Sequence, residues 1–349
     1  MRILHTSDWH LGRSFHREGM LDHQAAFVDH LLEVVAAESV DVVVLAGDVY
    51  DRALPPVDAV ALADDAFARL AGSRARVLIT SGNHDSAERL GFASRLIDAA
   101  GVHVRSRLDT VGQPVVLGDS HGEVAFYGLP YLDPASTQLA WSLRERSHEA
   151  AMAAALELVR RDLRGRRPGT RSVVAAHAFV AGSAPSQSER DIAVGGVDRV
   201  SADLFAGFDY VALGHLHRPQ CIRDRVRYSG SPLAYSFSEA NDVKGSWLID
   251  LEAPGTPPRC EFIAAPVPRS LGLLRGRLDD LLADPQAGWA ASAWLHVTLT
   301  DPLRPRDAMA RLRQRFPFAL VLSYEPDGPR PVADLSRLPA SLSDREVTR

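Results

Sequence analysis

Short apolar runs that end in polar residues alternate with helical patterns through about the first 265 residues of the chain. These runs show little alternation of apolar and polar positions, which is typical of strands buried on both faces of a sheet. The pattern therefore predicts an α/β (α+β) fold in which helices cover the sheets. The predicted strands are Arg2–His5, Val42–Ala46, Arg76–Thr80, Val124–Tyr127, Ser172–Ala176 and Tyr210–Leu213.

Two longer stretches, Asp22–Ala37 and Ser147–Arg164, have the period of amphipathic helices. In the second stretch, apolar residues recur at spacings of three and four, so they form one buried stripe on an otherwise charged helix. The residues of that stripe are Met152, Ala155, Leu156, Val159 and Leu163.

The pattern changes near Pro266 and Pro268, where a smaller unit begins. Strand and helix signals then alternate as a compact βαβαβ module. We predict a first domain over residues 1–265, a small domain over 266–325, and a poorly ordered tail over 326–349 that is rich in proline, serine and arginine. The predicted elements of the small domain are Ser270–Arg275, Leu278–Ala283, Ala293–Thr298, Arg306–Phe316 and Phe318–Ser323.

The charge balance is not that of a protein that binds DNA through bulk electrostatics. Lysine and arginine total 39 and aspartate and glutamate total 44, which gives a formal net charge of −5. Because phosphate neutralisation normally requires a basic surface, DNA binding would depend on local arginines, bound metal ions or a partner. The densest basic stretch runs from Arg160 to Arg171 at the end of a predicted helix. Such a run usually forms a solvated face, and contact with the DNA backbone is the alternative.

The sequence favours a cytoplasmic protein without a membrane partner. Its two cysteines, Cys221 and Cys260, match no metal-ligand spacing and are expected to be free thiols in a reducing compartment. No apolar run approaches the length of a membrane span. A cleaved signal peptide is not expected, because its removal would also remove Asp8 and His10.

Five polar clusters follow predicted strands. In α/β proteins, ligands bind in the crevice at the carboxyl ends of the strands, so we expect the clusters to meet there. Any one cluster could arise by chance, but five in order, each at a strand end, are a poor fit to coincidence. They are Asp8-Trp9-His10, Gly47-Asp48, Gly82-Asn83-His84-Asp85, His177 and Gly214-His215-Leu216-His217.

The clusters offer seven candidate metal ligands, which are too many for one ion. They combine imidazole nitrogen with carboxylate and amide oxygen and include no thiolate, a set that suits Mn²⁺, Fe²⁺ or Zn²⁺ better than Ca²⁺ or Mg²⁺ alone. Two ions about 3.5–4 Å apart that share a carboxylate would form the clamp used for in-line displacement at phosphorus. The seven candidates are Asp8, His10, Asp48, Asn83, His177, His215 and His217.

Three neighbouring residues are candidates for other roles in the same site. His84 directly follows the candidate ligand Asn83, so we expect its side chain to point elsewhere and to contact the scissile phosphate or protonate the leaving oxygen. Asp85 would hold the His84 ring in orientation. Asp51 would either support a ligand histidine or stabilise a turn.

At these clusters the sequence resembles the calcineurin-like metallophosphoesterases. Longer sequence motifs, called words below, are similar to one branch of that family, bacterial SbcD, the nuclease component of SbcCD complexes. The words run through the whole first domain, so the resemblance extends well beyond the shared metal motif. They are HTSDWHLGR at 5–13, LAGDVYDRALPP at 45–56, SGNHDS at 81–86, YGLPY at 127–131, HAFVAG at 177–182, SERDIAVGGVDRV at 188–200 and YSGSPLAYSFSE at 228–239.

The resemblance implies a metallophosphoesterase β-sandwich flanked by helices and followed by a small capping domain. It implies a Mn²⁺-dependent 3′→5′ exonuclease on duplex DNA that also acts as an endonuclease on hairpins and single strands. The protein would work with the coiled-coil ATPase SbcC in DNA repair, recombination and replication. Asp48 would bridge the two ions, and His84 would act on the phosphate or the leaving group. The implied ligand sets are Asp8, His10, Asp48 and His217 for one ion, and Asp48, Asn83, His177 and His215 for the other.

The same resemblance implies a homodimer formed by helices after the second and third motifs. Here these are Val57–Leu70 and Arg89–Ala99, whose apolar residues suit a helical bundle between copies as well as they suit the core of one copy. Members of this branch usually continue past the cap into helices that dock on SbcC, whereas this chain stops at Arg349. The apolar residues concerned are Leu62, Phe67, Leu70, Phe92 and Leu96.

Arg13 and Arg52, beside the metal motifs, are the candidate contacts to DNA phosphate. Tyr235 and Phe237 would either stack on an unpaired base or pack under the active-site loop. Two other functions stay open: a phosphoesterase for a small nucleotide or a phosphoprotein, and a scaffold protein whose metal site does not catalyse. The cap-like module and the branch-specific words argue against the first, and the complete set of ligands argues against the second.

Overall fold

The structure of the protein is a computed structural model that describes residues 1–187 and 199–327. The chain divides into two compact units, of which the first ends at Ser270 and the second begins at Leu271. Our predicted boundary lies five residues earlier, at 265/266. The predicted tail lies outside the described residues apart from 326 and 327, and so does most of the word at 188–200.

The first unit contains a six-stranded sheet, here called the first sheet, in which four neighbouring strands are parallel. Its N-terminal strand, Arg2–Thr6, pairs antiparallel on its other side with Gly245–Asp250. Alternate residues of each buried strand face opposite sides, so Val42 and Val44 point to one core while Val43 and Leu45 point to another. In spatial order the strands are Arg259–Ala264, Gly245–Asp250, Arg2–Thr6, Val42–Ala46, Arg76–Thr80 and Val102–Arg105.

A second six-stranded sheet, the second sheet, packs face to face against the first. It also has four neighbouring parallel strands, with an antiparallel strand at each edge. A shared core of apolar side chains joins the sheets, with Val44 and Leu78 on one side and Phe126 and Val173 on the other. In spatial order the strands are Gln220–Arg223, Val226–Tyr228, Tyr210–Gly214, Arg171–His177, Gly122–Gly128 and Val115–Asp119.

Helices cover the outer face of each sheet, which confirms the predicted α/β fold. Leu21–Ala37 and Val57–Ala71 pack on the first sheet, and His148–Arg164 packs on the second through the predicted apolar stripe. Shorter helices and 3₁₀ turns connect these elements. They are Ala87–Leu90, Ser94–Ile97, Asp98–Ala100, Leu108–Thr110, Pro134–Trp141, Ala202–Phe205 and Phe237–Glu239. Two small ladders pair Ser14–Phe15 with Glu18–Gly19 and Phe179–Val180 with Arg199–Val200.

One predicted helix, Arg89–Ala99, is wrong as a continuous element. The chain forms two short helices there, Ala87–Leu90 and Ser94–Ile97, and Ala93 between them has a left-handed backbone (φ 57°). A Cβ atom at Gly91 would lie 2.5 Å from Ser106 Oγ and 2.8 Å from the carbonyl oxygen of Ala87. The left-handed residue Ala93 therefore separates the two short helices, and glycine at position 91 allows the close approach of Ser106.

The second unit has a three-stranded parallel sheet, which confirms the predicted βαβαβ module. Its core is formed by buried apolar residues such as Leu295, Leu312 and Phe316. The strands, in spatial order, are Leu271–Gly276, Trp294–Leu299 and Ala319–Tyr324. The remaining elements are the helices Leu278–Ala283 and Ala308–Arg315 and the 3₁₀ turn Pro285–Ala291. None of the helices within residues 1–187 and 199–327 is long and apolar enough to cross a membrane.

The basic stretch from Arg160 to Arg171 consists largely of side chains with partners inside the protein. Arg171 is buried, and its guanidinium donates hydrogen bonds to Asp119 and to the carbonyl oxygens of Leu251 and Glu252. It thereby ties the second sheet to the segment that follows strand Gly245–Asp250. Arg166, just past the end of helix His148–Arg164, pairs with Asp162 in the last turn of that helix. The solvated-face interpretation is therefore wrong for Arg171, which has a structural role.

We expect Arg171→Met to lower the free energy of unfolding by about 1–3 kcal/mol, because it leaves the carbonyl oxygen of Glu252 without its donor and leaves Asp119 and the carbonyl oxygen of Leu251 with the N-terminal amino group as their remaining cationic partner. Urea unfolding followed by circular dichroism measures this loss. Arg167→Met is the matched control, since the Arg167 side chain is 85% exposed in the same stretch and should leave the midpoint unchanged. Equal midpoints for the two variants would contradict the structural role of Arg171.

Candidate metal centre

The candidate ligands follow strands of both sheets and meet at one edge of the sandwich. In the first sheet, Asp8 and His10 follow Arg2–Thr6, Asp48 follows Val42–Ala46, and Asn83 follows Arg76–Thr80. In the second sheet, His177 is the last residue of its strand, while His215 and His217 come directly after Tyr210–Gly214. The carboxylate and imidazole side chains are all buried. The structure therefore brings together all seven residues that the sequence selected.

One group of donor atoms surrounds His10. Its Nε2 atom lies 3.1 Å from Nε2 of His217 and 3.5 Å from Oδ2 of Asp48. Asp8 joins this group, because one ligand atom each from Asp8, His10 and His217 lie within 4.8 Å of one another. Two imidazole nitrogens at 3.1 Å can share at most one proton, so their convergence suits a cation between them.

The other group surrounds Asn83. Its Oδ1 atom lies 3.0 Å from Nε2 of His177 and 3.2 Å from Nδ1 of His215. Oδ2 of Asp48 is 3.3 Å from Nε2 of His177. The same Asp48 oxygen therefore contacts both groups, which is the geometry that a bridging carboxylate requires.

These residues fit a pair of divalent cations. Neighbouring donors on a metal with bonds near 2.1 Å and right-angle geometry lie roughly 3 Å apart, and the contacts within both groups range from 3.0 to 3.5 Å. Burial lowers the pKa of His10 well below its usual value and lowers the pKa of His215 to about 3. Both rings are therefore neutral at pH 7 and offer a nitrogen lone pair to a metal.

Backbone contacts fix which atom of each ligand faces the centre. Nδ1 of His177 donates to the carbonyl oxygen of Ala46 at 3.0 Å, so Nε2 is left for the metal. Oδ1 of Asp48 accepts the backbone N–H of His84 at 2.9 Å, which leaves Oδ2 for the centre. Oδ1 of Asp8 accepts the backbone N–H of His215 at 3.0 Å, which links the ends of two strands from different sheets. Backbone contacts thus hold the side chains of these three candidate ligands in place.

The turns that carry these ligands need unusual backbone conformations. Asp8, His10 and Asp48 have positive φ values of 55°, 46° and 51°. Such conformations cost about 1–3 kcal/mol each and are found mainly where function requires them. Glycine is required beside them: Gly47 has φ +83°, and a Cβ atom at Gly214 would lie 1.8 Å from the carbonyl oxygen of Ala46. One glycine is therefore required by its positive φ, and the other by the close approach of neighbouring backbone.

Comparison with known proteins agrees with this geometry. The family described as calcineurin-like phosphoesterase matches residues 1–219. The SbcD component of the SbcCD nuclease from Staphylococcus saprophyticus subsp. saprophyticus is 32% identical over 328 residues, which cover 93% of this chain and 85% of that protein. The chain belongs to the SbcD family of calcineurin-like phosphoesterases. The resemblance found in the sequence words is confirmed, and so is the assignment as a phosphoesterase.

The second unit of this SbcD-family chain has a match of its own. Residues 267–347 match the family described as type 5 capsule protein repressor C-terminal domain. That match begins one residue after Pro266, where the sequence pattern changes.

His84 borders the metal centre of the SbcD-family chain, and one of its ring nitrogens lies within 4.8 Å of donor atoms from His10 and Asp48. Its Nδ1 atom lies 2.7 Å from the carbonyl oxygen of Asp51, to which it donates a hydrogen bond. The ring packs edge-on against His10, with centroids 4.7 Å apart. Since Nδ1 is engaged, Nε2 is the ring atom available to a substrate.

Asp85 does not hold the His84 ring, contrary to our expectation. Its partly buried carboxylate accepts the backbone N–H groups of Val49, Tyr50 and Gly82 at 2.9–3.1 Å. Asp85 thus ties the turn after the second strand of the site to the turn after the third. The ring of His84 is oriented by the Asp51 carbonyl instead.

Asp51 lies at the centre of a small charged group on the open side of the site. Its Oδ1 atom is 3.7 Å from Nδ1 of His10, a buried nitrogen that has no hydrogen-bond partner within the described part of the chain. Arg13 approaches the same carboxylate to 3.8 Å and Arg52 to 3.6 Å. These distances suit support of a ligand histidine by Asp51, with two arginine side chains next to it.

Tyr235 packs under the site. It is 6% exposed, its hydroxyl donates to the carbonyl oxygen of Trp9 at 2.5 Å, and its ring lies edge-on to both His10 and His217. Phe237 is 7% exposed. Of the two interpretations of these residues, the structure favours packing over base stacking.

Gln24 is a supporting residue that the sequence did not reveal. Its side chain donates to the carbonyl oxygen of His10 at 2.8 Å and accepts the N–H of Gly12 at 3.0 Å. It lies on helix Leu21–Ala37, in a position that looks like part of the helix's apolar face. The sign of its role that the sequence offers is a polar glutamine among the apolar residues of that face.

Proposed function

We propose that this chain is a two-metal DNA nuclease. The observation that supports this most directly is the position of Asp48 Oδ2, within 3.5 Å of an imidazole nitrogen from each of the two donor groups. Asp8, His10, Asp48 and His217 would hold one ion, and Asp48, Asn83, His177 and His215 the other. Mn²⁺ suits this mixture of imidazole, carboxylate and amide ligands. When bound, the two ions supply Lewis-acid chemistry and stabilise negative charge on the phosphate oxygens.

His84 is the proposed catalytic residue. With Nδ1 donating to Asp51, the Nε2 atom of a protonated ring can donate to a phosphate oxygen or give its proton to the leaving oxygen. Its backbone N–H holds Asp48, so the ring is fixed relative to the bridging ligand. Arg13 and Arg52 are the proposed phosphate contacts, since both guanidinium groups already lie next to Asp51 at the edge of the site.

The proposed substrates come from the resemblance of the sequence motifs, and the relative, whose name describes a nuclease and one component of a complex, supports a nuclease that works with a partner. We infer 3′→5′ exonuclease activity on duplex DNA, endonuclease activity on hairpins and single strands, and work with an SbcC-type ATPase in DNA repair, recombination and replication. A partner is also consistent with the net charge of −5, because the chain alone offers little bulk attraction to DNA. We further propose that the unit over residues 266–325 acts as a cap and that the protein works in the cytoplasm.

The experiment that tests this function is cleavage of end-labelled hairpin and duplex DNA by the purified chain with Mn²⁺ or with EDTA. Cutting that requires Mn²⁺ supports the nuclease. Cleavage of a small chromogenic phosphodiester without cleavage of DNA, in the presence or absence of SbcC and ATP, would favour a small-molecule or phosphoprotein substrate. Bound metal without turnover of any of these substrates would favour a scaffold.

A homodimer is part of the proposal, and an exposed apolar surface supports it. Of the five residues first considered for a bundle, Leu70 is fully buried, and Leu62 and Phe67 pack against the core of the first sheet. Phe92 and Leu96 are instead 82% and 78% exposed. The nearby residues Leu54 and Val57 are also exposed, and Arg89 connects the two segments through a 3.1 Å hydrogen bond to Ala53. We call Leu54, Val57, Phe92 and Leu96 the apolar surface.

We expect Phe92→Glu/Leu96→Glu to convert a dimer into a monomer, because charges at the centre of the apolar surface would be desolvated on association. Size-exclusion chromatography with light scattering measures the mass. Leu139→Glu is the control, since Leu139 is 85% exposed on another helix and should leave the dimer intact. A dimer that persists in the double variant would exclude this surface as the interface.

A further inference from the structure

A buried ion pair lies directly behind His217. Lys244 Nζ is 2.6 Å from Oε2 of Glu239, and the side chains are 4% and 0% exposed. Glu239 ends the 3₁₀ turn Phe237–Glu239, and Lys244 precedes strand Gly245–Asp250. A buried ion pair generally stabilises a fold no better than apolar side chains of similar size. Stability alone therefore does not explain why this pair is present.

The ammonium group of Lys244 has an acceptor for each of its three protons. Besides Glu239, Nζ donates to the backbone carbonyl oxygen of His217 at 2.7 Å and to Oγ of Ser231 at 3.1 Å. Three acceptors around one nitrogen suit the compact ammonium group, whereas arginine presents five donors on a planar fork. Lys244 is the only lysine in the chain, and the other 38 of the 39 cationic residues are arginine. The lysine at this position therefore differs from the arginines that supply all the other cationic side chains of the chain.

Glu239 contacts the ring of His217 as well as Lys244. Its Oε1 atom is 3.6 Å from Nδ1 of His217, and it also accepts a hydrogen bond from Oγ of Ser186 at 3.1 Å. Oε2 accepts the backbone N–H of Tyr235 at 3.2 Å, so the carboxylate is held on several sides. On the opposite side of the His217 ring, Nε2 faces the metal centre. A carboxylate behind a ligand histidine fixes the tautomer and the orientation of its ring.

From these contacts we infer that Glu239 and Lys244 are positioning residues for His217. Lys244 fixes the backbone of His217 through its carbonyl oxygen, and Glu239 fixes the tautomer and tilt of its ring. Their effect is confined to one ion, the one assigned to Asp8, His10, Asp48 and His217. The inference rests on the proposed function in that it takes the centre to hold two metal ions.

The test is calorimetric titration of the metal-free full chain with Mn²⁺, comparing the parent with Glu239→Leu/Lys244→Met. The double substitution removes both charges together, so no unpaired charge is buried. We expect two binding events in the parent and a loss of about 10- to 100-fold in affinity for one of them in the variant. The other event should keep its parental affinity. Glu239→Gln/Lys244→Met returns an acceptor to the Nδ1 side of His217 and should recover much of the loss.

Arg171→Met is the matched control, because it removes a buried cation at the far end of strand Arg171–His177, about 20 Å from His177. It should leave both Mn²⁺ affinities unchanged. Parental affinity for both ions in the folded Leu/Met variant would overturn the inference and leave the proposed function intact. Equal weakening of both ions would also overturn it, because that result indicates general loosening. Failure of the parent to bind Mn²⁺ would overturn the proposed function and this inference with it.

Discussion

Asp48→Ala is expected to lose both metal ions and DNA cleavage together. Oδ2 of Asp48 lies within 3.5 Å of donors in both groups, so its removal takes a ligand from each ion. The substitution also leaves the backbone N–H of His84 without its acceptor, which releases the proposed catalytic residue. Several kcal/mol of charge stabilisation by the ions would be lost, and the cleavage rate should fall by about 10³-fold or more.

Metal content by mass spectrometry, together with cleavage of labelled hairpin DNA in Mn²⁺, measures both effects. Asp65→Ala is the matched control, because that aspartate is 56% exposed and pairs with Arg69 on the surface of a helix. The control should retain both ions and the parental rate. Two tightly bound ions in Asp48→Ala would contradict the bridging role.

His84→Ala is expected to lose cleavage as well, but to retain both ions. The His84 ring donates through Nδ1 to the carbonyl oxygen of Asp51 and lies beside His10, so its Nε2 atom is not used by the hydrogen bond to Asp51. Loss of a proton donor or phosphate contact at this position should lower the turnover rate by about 10²–10⁴-fold. The rate under single-turnover conditions, with saturating Mn²⁺, measures that loss separately from DNA binding.

The metal content of the same variant distinguishes a catalytic role from a ligand role. One nitrogen of His84 lies within 4.8 Å of donor atoms from His10 and Asp48, so a ligand role is the structural alternative. Loss of one ion from His84→Ala would show that His84 is a ligand. Cleavage at the parental rate would exclude both roles. His121→Ala, at an exposed position, controls for the loss of a histidine.

Much of the fold could be predicted because the strands are buried on both faces. Runs such as Val42–Ala46 and Arg76–Thr80 carry a continuous apolar signal, and the structure gives them the predicted bounds. The helix predicted over Arg89–Ala99 is wrong although the period of its apolar residues is helical. The close contact between Gly91 and Ser106 comes from the tertiary fold. Local pattern contains no information about such a contact.

The candidate ligands could be selected from the sequence because each lies at or after the end of a strand, and strand ends share an edge of the sandwich. The residues that orient them could not be assigned in this way. The sequence predicts that Asp85 orients the ring of its neighbour His84. Its carboxylate instead accepts the backbone N–H of Tyr50, 35 residues away. Glu239 lies in the word YSGSPLAYSFSE, but only the folded chain shows that it lies behind His217. Roles that depend on distant pairing need the structure.

The pairing of the first strand with Gly245–Asp250 has a consequence for synthesis of the protein. Arg2 lies opposite Asp250, a separation of 248 residues, so the N-terminal strand lacks its neighbour on that side until most of the chain has been made. At about 5–20 residues per second, that interval is on the order of 10–50 s. Because Asp8 and His10 directly follow this strand, while His215 and His217 come 207 residues after them, respectively, a nascent chain cannot bring all seven candidate ligands together before His217 has been translated. The topology thus delays assembly of the candidate centre until well over half of the chain has been made.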